Sequence, residues 1–234
     1  MDRRHFLLGA AGAIGAAHVP GLIWAEARRS TRALPLPAPN LDRHAKSLSE
    51  LYAILDDFGA DFGAARRKYG VPSGEPVIGL DVRTNEKLRL AKRRLPERIT
   101  IRGVGTLGRN DFFPTAGTQV GDWSLRSARN IRLMAIQFNA QSNGGPGNFI
   151  GATDCVITRN VFNMKAATST RALAQPNEVK NGIYFYNSSG CTFSENAVVG
   201  ANFQLINGQQ RATDGTSTRG LTIAWNVFDQ VRGD

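Results

Sequence analysis

Tyr184 and Tyr186 stand two residues apart in Gly182-Ile183-Tyr184-Phe185-Tyr186, whose alternation predicts a strand with Ile183 and Phe185 turned inward and both tyrosines outward. Outward aromatic rings stack on sugars. The run Asn202 to Ile206 reads as the neighbouring strand, which would set the amides of Asn202 and Gln204 beside the rings to hydrogen-bond sugar hydroxyls. Arg171, Lys180, Arg211 and Arg219 fall in flanking loops, where cations can pair with carboxylates. The same pattern has a plainer meaning: outward tyrosines stabilise a sheet and flanking cations keep it soluble.

Chemistry on a uronate chain at such a face would be an elimination. It needs a base to take the proton beside the carboxylate, and a cation, Ca²⁺ or arginine, to neutralise that carboxylate. The candidate catalytic residues are Lys180, Tyr184, Tyr186 and Arg211; the candidate substrate-binding residues are Arg171, Lys180, Tyr184, Tyr186, Asn202, Gln204 and Arg219. No metal site is expected, because Asp154, Glu178 and Asp214 are scattered rather than gathered into the acidic cluster calcium requires. No two carboxylates share a strand at the spacing of a glycoside hydrolase. Of the three histidines, His5 and His18 lie in the N-terminal segment and His44 in an irregular stretch. Ser-His-Asp and His-ligated metal mechanisms are therefore excluded for the strand-rich region. Cys155 and Cys191 are too few for a disulfide framework or a four-ligand zinc site.

The elements that must position these residues follow from the rest of the chain. At 234 residues and 41% apolar it is one domain with an appendage, large enough to bury a core. Residues 1 to 27 have a charged start, an apolar Gly/Ala-rich stretch and the small-residue ending Ala25-Glu26-Ala27, which is a signal-peptide pattern. His18 and Pro20 interrupt the stretch, so no transmembrane span is expected once the signal is removed. Asp2-Arg3-Arg4-His5-Phe6-Leu7-Leu8 resembles the twin-arginine export signal, which implies the export machinery as a partner and a periplasmic or secreted address. Removal of the signal takes away Arg3 and Arg4 against Asp2 and Glu26, so the net charge of +10 stays with the mature chain. Export argues against nucleic acid as its counterpart and leaves acidic polysaccharides and anionic envelope components.

Residues 28 to 46, with Pro35, Pro37 and Pro39 and no apolar period, read as an extended tether. Ser47 with Glu50 is a capping-box signature, and Leu48, Leu51, Tyr52, Leu55 and Phe58 share one helical face. Residues 47 to 76 thus form a helical cap, with Phe62 to Tyr69 adding a further turn or two.

From residue 77 to 234 the pattern is short alternating runs that repeat. Segments beginning at Asn130, Asp154, Gly190 and Gly220 align without gaps, and Arg98 to Val104 matches their front half. Ile99, Ile131, Cys155, Cys191 and Leu221 fall on one inward stack, at steps of 32, 24, 36 and 30 residues, and Ile101, Leu133, Ile157, Phe193 and Ile223 on another. Constant strands with variable steps describe a solenoid whose loops adjust. Asn160, Asn196 and Asn226 recur at a corner, where asparagine tolerates left-handed backbone and its amide can bond to the next copy; Ile136 replaces it in one copy.

The runs from Ile99, Val156 and Gly182 resemble the right-handed parallel β-helix proteins of the pectin-lyase-like superfamily, over roughly Val77 to the C-terminus. The resemblance implies an all-β solenoid closed by the N-terminal helix. It extends to lyases, hydrolases, epimerases and noncatalytic members, so it leaves two functions open: binding or cleavage of an acidic polysaccharide, or a noncatalytic carbohydrate-binding or envelope-associated role. Mannuronan epimerases carry Asp-Pro-His-Asp after a Gly-Ile like Gly182-Ile183. Tyr184-Phe185-Tyr186-Asn187 stands here instead, which argues against epimerisation. The sequence ends soon after a corner strand with no recognisable cap, as a solenoid lacking further coils would.

Overall fold

The computed structural model describes residues 36–71, 73–104, 117–139, 147–163, 183–199, 206–209 and 218–229. Two helices come first, α1 (Leu48–Ala60) and α2 (Phe62–Lys68). The Ser47 hydroxyl caps α1 by accepting from the Glu50 amide, while the Glu50 carboxylate accepts from the Lys46 amide rather than that of Ser47. Leu48, Leu51, Leu55 and Phe58 are buried as the helical period requires, joined by Ile54, whereas Tyr52 is only partly covered. Asp61 separates the helices and caps α2 through the Ala64 amide.

The rest is strands, every one paired in parallel. One sheet has six in the order β1 (Val77–Leu80), β3 (Arg94–Gly103), β6 (Arg129–Met134), β9 (Val156–Thr158), β12 (Thr192–Ser194) and β15 (Thr222–Ala224). A second has five: β4 (Gln119–Val120), β7 (Gln137–Asn139), β10 (Val161–Asn163), β13 (Ala197–Val199) and β16 (Val227–Asp229). A third has β8 (Gly147–Ile150), β11 (Ile183–Tyr186) and β14 (Ile206–Gln209), and a fourth pairs β2 (Leu88–Arg89) with β5 (Trp123–Ser124). From β6 to β16 the chain visits the first three sheets in strict rotation.

Register follows the aligned sequence. Ile99 pairs with Ile131, Ile101 with Leu133, Leu133 with Ile157, Ile157 with Phe193 and Phe193 with Ile223. All are fully buried except Ile223, in the edge strand, which packs only partly on the core. Aromatic rings continue these columns: Phe138 stacks on Phe162 at 4.9 Å and Phe149 on Phe185 at 4.4 Å. Trp123 meets Phe149 edge-on at 5.0 Å. Its indole lies where a Cβ on Gly147 would be, so only glycine fits there.

The asparagine corner forms as a ladder, with one difference from expectation. The Oδ1 atoms of Asn160, Asn196 and Asn226 accept the backbone amides of Ile136, Asn160 and Asn196, each at 3.0 Å. Ile136 therefore ends the ladder as a donor. The left-handed residue is not the asparagine but the one before it: Ala135, Arg159, Glu195 and Trp225 have φ between 53° and 58°. The bend is made by the preceding residue, which leaves the asparagine free to reach across.

The segment expected to be a tether is docked from Asn40 onward. Asn40 donates to the Val77 carbonyl and accepts its amide, and Ala45 bridges Leu80 in parallel, so this stretch covers the edge of β1. Leu41 and Ala45 are buried. Pairing along one edge needs backbone groups rather than an apolar period, and an uncovered parallel edge would be open to other chains.

Candidate functional site

Strand β11 presents the residues first considered. Ile183 and Phe185 are fully buried, so the alternate positions, those of Tyr184 and Tyr186, belong to the other side of the sheet. Tyr186 is partly exposed. The side chain of Tyr184 and the whole of Arg171, Lys180, Asn202, Gln204 and Arg211 lie outside the described residues.

Strand β14 corrects the neighbouring register. The partners of Tyr184 and Tyr186 are Asn207 and Gln209, not Asn202 and Gln204, because the sheet takes Ile206 opposite Ile183. The alternation of Asn202 to Ile206 resembles a strand, but a slip by an odd number of residues exchanges the two faces, and alternation alone does not fix the slip. Arg219 is exposed at a bridge with Ser189, one strand over and beyond the end of β11.

The carboxylates near the outer faces are occupied. Glu195 pairs with Arg159 at 2.7 Å, where the arginine side chain is 8% exposed, and Glu75 pairs with Arg132 at 3.1 Å. Among the described residues no three His, Cys, Asp or Glu side chains gather as a metal site would need. Cys155 and Cys191 are free, buried thiols that donate to the carbonyls of Thr153 and Ser189. The Cys191 thiol beside Cys155, together with burial, pushes the Cys155 pKa up, so that Cys155 stays a protonated, unreactive thiol.

Sequence reasoning missed His44. It had been set aside with the tether, yet its imidazole lies over Gly79 of β1, at 3.0 Å from where a Cβ would stand. It also missed Arg98 and Arg102 on β3, each of which has a buried Nε with no hydrogen-bond partner. The alternation of Arg98-Ile99-Thr100-Ile101-Arg102 around two inward isoleucines carried that signal. Compared with known protein families, with curated proteins and with solved structures, the chain matches none.

Proposed function

We propose that the chain is an exported, right-handed parallel β-helix of the pectin-lyase-like kind that binds an acidic polysaccharide on its outer surface. The rotation of the chain through parallel sheets supports the solenoid, and the near-universal right-handedness of parallel crossovers supports its hand. The observation that carries the function is the excess of positive charge, +10, on a scaffold where Glu75 and Glu195 are already held by arginines. That excess is left for an external anion. The tyrosine positions of β11 supply ring faces beside it.

The test is calorimetry of the mature chain against alginate, pectate and glycosaminoglycans, with ultraviolet absorbance followed for an unsaturated product. Binding without product is expected. Replacing Tyr184 and Tyr186 together by Ala should weaken it at least tenfold, about 1.4 kcal/mol, and Lys180→Ala should weaken it in a way that fades with salt. Sustained product would make the chain a lyase, and no binding to any polymer would sink the reading.

A further inference from the structure

Ile99 and Ile101 of β3 are fully buried, so Arg98, Thr100 and Arg102 leave the sheet on its outer side. The middle of this row is closed: the Thr100 hydroxyl donates to Glu75, whose carboxylate is also held by Arg132. Arg98 and Arg102, on either side, are not. Each buries its Nε without a partner, and among the described residues neither is paired with a carboxylate. Burial lowers the pKa of Arg102 and no neighbouring charge offsets it.

The register partners of Arg102 are Gly79 on one side and Met134 on the other. Gly79 leaves the space that the His44 ring fills, and Met134 is buried. The guanidinium therefore rises between an imidazole and an apolar wall. Desolvating a cation without a partner is costly, and its planar fork of donors matches a carboxylate or sulfate in two parallel hydrogen bonds.

We propose that Arg102, with His44 beside it, forms an oxyanion site on the outer face of the six-stranded sheet, taking a carboxylate or sulfate group carried on a sugar chain. The site is on a different sheet from Tyr184 and Tyr186, and its polymeric ligand rests on the polysaccharide reading above. Arg98 faces the same way four residues back, about 13 Å along the strand. A chain with repeated anions can touch both guanidiniums, whereas a free anion touches one.

Calorimetry of the full chain with inorganic sulfate and free glucuronate, and separately with a sulfated and a uronate polymer, tests this. Both free anions should bind the wild type and bind Arg102→Gln about tenfold more weakly. Arg98→Gln should weaken only the polymer, and the polymer that binds identifies the natural anion. Arg102→Met removes an unpaired cation while keeping the stem, so it should melt no lower than wild type yet lose the anion. Free anions that fail to bind the wild type, or that bind both Arg102 variants as tightly, would overturn the site. Free anions bound through Arg102 with neither polymer bound would leave the site standing and remove the polysaccharide reading.

Discussion

The side-chain oxygen of Asn196 accepts two hydrogen bonds from Asn160, one from its backbone amide at 3.0 Å and one from its side-chain amide at 3.2 Å. In return the Asn196 amide reaches back to the Ile157 carbonyl at 3.0 Å and on to Asn226 at 3.1 Å. One side chain thus ties three successive strand corners together in a buried place. Removing it strands the Asn160 amide and the Ile157 carbonyl, which have no water to turn to.

Asn196→Leu should therefore lower stability by about 2–5 kcal/mol, read as a reduced urea midpoint with an unchanged slope. Asn226→Leu should cost less. Its oxygen serves the Asn196 amides and its amide serves the Phe193 carbonyl, but it is itself partly exposed, and water can replace part of what is lost. Equal losses at the two positions would show that the ladder adds nothing beyond side-chain volume.

These asparagines were legible in the sequence because a residue that both accepts from one strand corner and donates to another must recur at each copy. The inward columns were legible for a similar reason, since Ile157 and Phe193 occupy positions that every pass of the chain fills with an apolar group. Three things were not. The left-handed residue at the corner has no common identity, being Ala135, Arg159, Glu195 and Trp225 in turn, so no residue type announces it. The register of β14 depends on where extra residues are placed between fixed corners, and alternation is blind to that. The docking of His44 on Gly79 joins a segment without period to a glycine, and neither partner carries a pattern.

The helical cap should give the stability curve its acid dependence through Asp57. Its carboxylate accepts from Lys68 at 2.7 Å and from the Tyr69 hydroxyl at 2.5 Å, and these bonds, the Lys68 one foremost, hold its pKa below the usual carboxylate value. A depressed acid contributes stability that is present above its unfolded pKa and is lost as pH falls through the folded one. Asp57→Asn should thus flatten the acid limb of melting temperature against pH. At the alkaline end burial, then the bond to Asp57, raises Tyr69, so stability that is intact below the ordinary tyrosine pKa should fall as pH rises through the folded value. Tyr69→Phe should remove that fall. Limbs unchanged in both variants would place the titrating groups elsewhere.

Trp225 offers a test of corner strain that leaves the core untouched. It follows Arg159 and Glu195 in the left-handed series, with φ of 58°, and it is 64% exposed. A bulky L-residue in that region pays about 1–2 kcal/mol, and an exposed indole recovers little of it by packing. Asparagine adopts the same backbone more readily because its short polar side chain can bond locally. Trp225→Asn should therefore raise stability by about 0.5–1 kcal/mol, seen as a higher urea midpoint. The same change at Arg159 should do the reverse. Arg159 relieves no less strain, but its side chain is 8% exposed and held to Glu195, so the variant would leave that carboxylate without its cation. Stabilisation at both positions would mean that backbone strain outweighs the ion pair, and loss at both would mean that the exposed indole is held by contacts stronger than its exposure suggests.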